Sequence, residues 1–140
     1  MKLKNLTILF ILTTGLFASC AKEQKESNVD YSIITKEMSF SPNELHLKKG
    51  QTYRIRLHNE GSVLHDWNVE DIKANVHHSS DSGSIHHHGH NKKMPLHLAV
   101  LPARSNEIEF KAEEAGVFTF FCSVPGHKES GMVGKILVHD

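Results

Sequence analysis

The chain has 140 residues, and its 16 Lys and Arg balance 16 Asp and Glu to give a formal net charge of zero at pH 7. That length suits one domain with an ordinary core, and the balance excludes a strongly basic surface of the kind that binds nucleic acid. Twelve histidines are many for this length, and they gain positive charge below about pH 6.5.

Lys2 and Lys4 precede an apolar run from Leu6 to Leu12, and small residues lead on to Cys20. This is the pattern of a secretory signal over residues 1–19, and its apolar run is too short to span a membrane. The end of the leader, Leu16-Phe17-Ala18-Ser19-Cys20, resembles the bacterial lipobox, in which the cysteine becomes the lipid-modified first residue of the mature protein. Phe17 stands where leucine is usual. The expectation is export and anchoring to a bacterial membrane through Cys20, each buried methylene of the acyl chains contributing about 0.8 kcal/mol. Loss of Lys2 and Lys4 with the leader would leave the mature chain near −2. Cys122 is then an unpaired thiol outside the cytoplasm, and such a thiol is liable to oxidation unless it has a chemical role or is buried and inert. Lipidation of Cys20 argues against a Cys20–Cys122 disulfide.

Residues 20–29 are polar and charged and read as a flexible tether. The domain occupies residues 30–140. Short β-rich segments follow at residues 31–35, 45–48, 53–59, 67–69, 96–101, 106–110, 117–122 and 135–139. Tyr53, Ile55 and Leu57 share one strand face, while Arg54, Arg56 and His58 share the other, which is the alternation of a half-buried strand. Ser41-Pro42-Asn43, Lys49-Gly50, Asn59-Glu60-Gly61 and Ala115-Gly116 supply turns between segments. The expected fold class is all-β, an antiparallel sandwich of seven to eight strands. Residues 75–93, rich in Ser, Gly and His, read as a mobile surface insertion.

The chemistry concentrates on residues 120–132, FFCSVPGHKESGM. Cys122, His127 and Met132 follow one another five residues apart on one short loop. A thiolate and an imidazole bind copper well, and a weak thioether suits the long axial position of a blue-copper site. The second imidazole that such a site needs is available upstream at His65, within Leu64-His65-Asp66-Trp67. Phe118, Phe120 and Cys122 share one strand face, so the thiol is expected to point inward among aromatic rings, where a dry shell tunes a metal centre. Gly126, Gly131 and Gly134 give the backbone freedom around the loop. Taken singly, His65 competes with ten histidines besides His127, and Met132 reads equally as core filler. Zinc is disfavoured by the thioether and by the single thiolate.

These motifs resemble those of the cupredoxins, the small blue-copper proteins of plastocyanin and azurin type. The resemblance covers most of the domain, from FSPNELHLKKGQTYRIRLHNEG and HDW to AGVFTFFCSVPGHKESGMVGKILV. It implies a Greek-key sandwich holding one type 1 copper near one end, with His65, Cys122, His127 and Met132 as ligands. In plastocyanins and azurins an asparagine often follows the upstream histidine and bonds to the residue after the cysteine. Here those positions are Asp66 and Ser123, and Asp66 is expected to accept a hydrogen bond from Ser123. The family further implies transient docking of a redox partner near His127, where Leu64, Val124, Pro125 and Val133 are candidate apolar contacts.

Two features lie outside that pattern. His77, His78, His86, His87, His88 and His90, with His97 close behind, form a tract able to hold Cu(II), Zn(II) or Ni(II) loosely, or else a solvated loop rich in histidine by chance. The sequence therefore supports a one-electron carrier, with an extracytoplasmic copper-binding protein for tolerance, storage or delivery as the alternative. No enzymatic turnover is expected. Cys122 is flanked by Phe121 and Ser123, not by the histidines that connect blue sites to further copper centres in multicopper enzymes.

Overall fold

The computed structural model describes residues 30–80 and 94–140. The expected signal, the Cys20 anchor, the tether and His86, His87, His88 and His90 all lie outside the described residues.

Among the described residues ten strands run in chain order: β1 Tyr31–Lys36, β2 Ser39–Ser41, β3 Glu44–Lys48, β4 Thr52–Asn59, β5 His65–Val69, β6 Ala74–Ser79, β7 Leu96–Val100, β8 Ser105–Ala112, β9 Gly116–Phe121 and β10 Val133–His139. They form two five-stranded sheets, ordered β2-β1-β4-β8-β6 and β3-β10-β9-β5-β7. The two sheets pack face to face around one core as an all-β sandwich.

β4 shows how sequence alternation becomes structure. Tyr53, Ile55, Leu57 and Asn59 turn into the core, while Arg54 and Arg56 face outward. On that outer face each arginine meets a glutamate of β8, Arg54 with Glu109 and Arg56 with Glu107, both partly buried. The core between the sheets is built on Ile33, Leu45, Leu47, Ile55, Leu57, Trp67, Leu98, Phe110, Phe120 and Ile136. Phe120 is its hub, edge-on to Phe40 with ring centroids 5.2 Å apart and tilted against Trp67 at 5.8 Å.

The structure corrects the sequence reading in three places. Two strand pairs are parallel, β1 with β4 and β3 with β10, because the chain changes sheets between β2 and β3. Two strands escaped the hydrophobic pattern. β2 has only three residues. Among the described residues β6 is an edge strand paired only with β8, and it is exposed along almost its whole length, so it needs no apolar alternation. As a result, the first part of the expected insertion, His77 and His78 included, is ordered strand rather than loop.

Candidate metal centre

Three elements converge on one buried point. β5 opens with His65, Cys122 directly follows β9, and residues 123–132 fold back to bring His127 and Met132 beside them. Gly126 and Gly131 have φ of +85° and +95°, a region that side chains other than glycine enter at a cost. The turns they make let the loop return on itself. Its backbone closes through Met132 N donating to the His127 carbonyl at 3.0 Å and Cys122 N donating to the Met132 carbonyl at 3.2 Å. Gly134 works differently. Its Cα lies against Phe120, and an added Cβ would overlap that ring and come within 2.5 Å of the Asn43 carbonyl oxygen. Close approach, not conformational freedom, requires glycine there.

Cys122 Sγ lies 3.4 Å from His127 Nδ1 and 3.9 Å from His65 Nδ1. The three donor atoms fall within 4.8 Å of one another and form the only such cluster of three or more metal-binding side chains among the described residues. His65, Cys122 and Met132 are wholly buried, and His127 keeps 7% exposure, so the His127 edge is the one that reaches solvent. A soft sulfur and two imidazoles facing one point, with a buried thioether on the closing loop, fit copper better than zinc. The four side chains are arranged as a type 1 copper site.

Burial dominates the electrostatics of this point. It pushes the Cys122 thiol up to about 12, although the Asp66 and Val124 N–H groups favour the thiolate. It also holds the His65 imidazole below its ordinary range, with the neighbouring His127 adding to the effect and Glu37 and Asp66 opposing it. Metal binding must therefore release the thiol proton. Because only the thiolate is nucleophilic, Cys122 of the folded, copper-free protein is expected to alkylate at pH 8 about a thousandfold more slowly than in the unfolded chain, followed as a modified peptide by mass spectrometry. Equal rates in the two states would show that the thiol is not desolvated.

The second ring of contacts is built on Asp66. Its Oδ1 accepts from the Ser123 N–H at 2.6 Å and its Oδ2 from the Ser123 hydroxyl at 2.5 Å, while its own N–H faces Cys122 Sγ at 3.5 Å. Asp66 thus pins the β5 ligand strand to the segment that follows the cysteine. A buried carboxylate so close to the centre favours its more positive oxidation state. In Asp66→Asn the amide oxygen can accept from the Ser123 N–H, and the amide nitrogen can donate to the Ser123 hydroxyl in reverse of the present bond. This variant is expected to raise the reduction potential by about 50–100 mV in voltammetry, equivalent to about 1–2 kcal/mol. An unchanged or lower potential would refute that electrostatic role.

Asn59 is the supporting residue that sequence reasoning passed over. It is fully buried, and its Nδ2 donates to the carbonyls of Val63 and Val100 at 2.7 and 3.0 Å. Its Oδ1 accepts from Gly61 N at 2.8 Å. It therefore braces the 60–64 loop that delivers His65. The signal was a polar residue at a core-facing position of an alternating strand. Gly61 completes the brace, since a Cβ there would press against His65 Nε2 at 3.0 Å.

The other expected residues do not join the centre. His97 is on β7, and His77 and His78 are exposed on β6. None of the three belongs to a metal-binding cluster among the described residues. Of the candidate docking residues, Pro125 and Val133 are exposed and Leu64 and Val124 half-buried.

Comparison with known proteins agrees with this geometry. A cupredoxin-like domain model matches residues 7–138. Two curated relatives are named copper-resistant cuproprotein CopI. The one from Pseudomonas aeruginosa is 30% identical over 76% of this chain and 74% of its own. The one from Rubrivivax gelatinosus is 30% identical over 89% of this chain and 72% of its own. Among solved structures, a reduced auracyanin from Roseiflexus castenholzii superposes with a TM-score of 0.61 at 18% identity, covering 79% of this chain and 96% of that one. Auracyanin A, a blue copper protein from Chloroflexus aurantiacus, gives 0.56 at 22% identity over 77% and 99%. The chain belongs to the cupredoxin-like domain family.

Proposed function

We propose that this protein is an exported, lipid-anchored carrier of single electrons. The observation that supports this most strongly is the ligand set itself, with three donor atoms within 4.8 Å on a β-framework braced by Asp66, Asn59 and the loop hydrogen bonds. Copper, when bound, supplies the one-electron couple between Cu(II) and Cu(I). The chain's part is to hold the ligands in a dry, fixed cage that suits both oxidation states, because packed interiors resist rearrangement. His127 is the ligand whose edge reaches solvent, and electrons are exchanged there with a partner that docks transiently on the surrounding apolar residues. Cys20 carries the acyl anchor to a bacterial membrane. No substrate turnover is assigned.

Copper resistance is the second reading, favoured by the names of the two 30%-identical relatives. Reversibility separates the two. The full chain carrying one copper, cycled repeatedly between chemical reductant and oxidant and then desalted, is expected to keep its metal and regain its full visible band. Release of the metal on reduction, or uptake of several ions that a chelator removes easily, would favour the resistance reading instead.

A further inference from the structure

A second pair of imidazoles stands well away from the copper centre. β10 starts at Val133, opposite Phe121, and ends at His139, a rise of roughly 20 Å at about 3.3 Å per residue. His139 pairs with Lys48 in the parallel β3–β10 ladder, and His46 lies two residues before Lys48 on the same outer face. Both side chains are exposed, while their strand neighbours Leu45, Leu47, Ile136 and Val138 fill the core.

The geometry of the pair is specific. His46 Nδ1 lies 3.1 Å from His139 Nε2. The ring planes are within 8° of parallel and the centroids 5.4 Å apart. Rings stacked face to face at that centroid distance could not bring two nitrogens so close. The rings must be nearly coplanar and meet edge to edge, with His46 Nδ1 and His139 Nε2 pointing at each other almost along one line. On the far side of His46, Nε2 lies 2.9 Å from Glu44 Oε1, and Lys135 holds Glu44 at 2.8 Å. The carboxylate can only accept, so it keeps the proton on Nε2 and leaves the Nδ1 lone pair aimed at His139. The Tyr31 hydroxyl donates to the His46 carbonyl at 2.6 Å and steadies the backbone beneath.

We propose that His46 Nδ1 and His139 Nε2 form a second metal site, which takes a monovalent copper ion, Cu(I), linearly between the two imidazoles. A filled d shell accepts two collinear donors without demanding more. Metal–imidazole bonds of about 2.0 Å would place the nitrogens about 4 Å apart, so the exposed side chains need open by only about 1 Å. The hydrogen now between the rings moves to the outer nitrogen of His139. Both imidazoles then bind neutral, no proton is lost and the ion is neither oxidised nor reduced. Divalent ions fit less well. Zn(II) needs four donors, and among the described residues no third metal-binding side chain converges on the pair. Lys48 beside His139 and Lys135 on Glu44 also oppose a doubly charged ion.

The test is an anaerobic Cu(I) titration of the full chain, its main centre already filled and reduced, followed by the imidazole ¹⁵N resonances of each histidine. His46 and His139 are expected to shift together and saturate at one further equivalent. His46→Gln should weaken the response of His139 at least about tenfold, and His139→Gln should do the same to His46. In each variant the visible band of the reoxidised main centre reports that the fold is intact. The proposal fails if the two resonances stay still while other histidines respond, or if each variant leaves the remaining histidine responding as before. It also fails in its choice of ion if Zn(II) moves the pair at lower concentration than Cu(I).

Discussion

Gly134→Ala is expected to destabilise the copper-free protein by about 3 kcal/mol or more and to lower its midpoint of thermal unfolding by roughly 10 °C or more. Gly134 faces Phe120 across the β9–β10 ladder, and a methyl group there would overlap the ring and press on the Asn43 carbonyl. Neither neighbour can yield easily. Phe120 is wedged between Phe40 and Trp67, and Lys135 N donates to the Asn43 carbonyl at 2.9 Å. Gly50→Ala is the matched control. Gly50 has φ of +79°, but nothing lies within 4 Å of an added Cβ. Backbone strain alone should then cost about 1 kcal/mol. Thermal unfolding followed by circular dichroism checks both, and equal losses for the two variants would mean that the Phe120 contact is not limiting.

Cys122→Ser has the largest expected effect on the metal. It removes the only thiol among the described residues, and with it the sulfur that faces both imidazoles. The intense thiolate-to-copper absorption should vanish. Copper affinity, read by competition with a chelator, should fall by more than the roughly 100-fold that loss of an outer-shell partner costs. The fold should survive, because serine is close to cysteine in size and the Asp66 N–H that faces the sulfur can donate to a hydroxyl. A variant that keeps an intense band would place the thiolate elsewhere.

The contrast between the loop glycines Gly126 and Gly131 and the strand glycine Gly134 shows what a sequence makes legible. Gly126 and Gly131 stand in a loop of turn-forming residues, and their need for positive φ is a local property that composition reveals. The reason for Gly134 depends on a ring that arrives from another strand. The same division runs through the fold. β4 could be read because Tyr53, Ile55 and Leu57 alternate with arginines, and the ligand loop because Cys122, His127 and Met132 are close in sequence. His65 was a candidate from the Leu64-His65-Asp66-Trp67 stretch, but only the family resemblance favoured it over the other histidines. β6 and the parallel pairings could not be read, because an exposed edge strand carries no hydrophobic period and strand partners are chosen over long separations. Asn59 was legible in principle, as a polar residue in a core-facing register. The His46–His139 pair was not, because two surface histidines far apart in the chain give no pattern until β3 and β10 lie side by side.

The most direct test of a single type 1 copper centre is a Cu(II) titration of the full chain, followed together by visible absorption and electron spin resonance. An intense thiolate-to-copper band that saturates at one equivalent is predicted, with later equivalents adding only weak absorption from histidine-bound ions. Binding of several coppers with no intense band at any stage would contradict it, leaving a cupredoxin framework that binds copper without the thiolate centre.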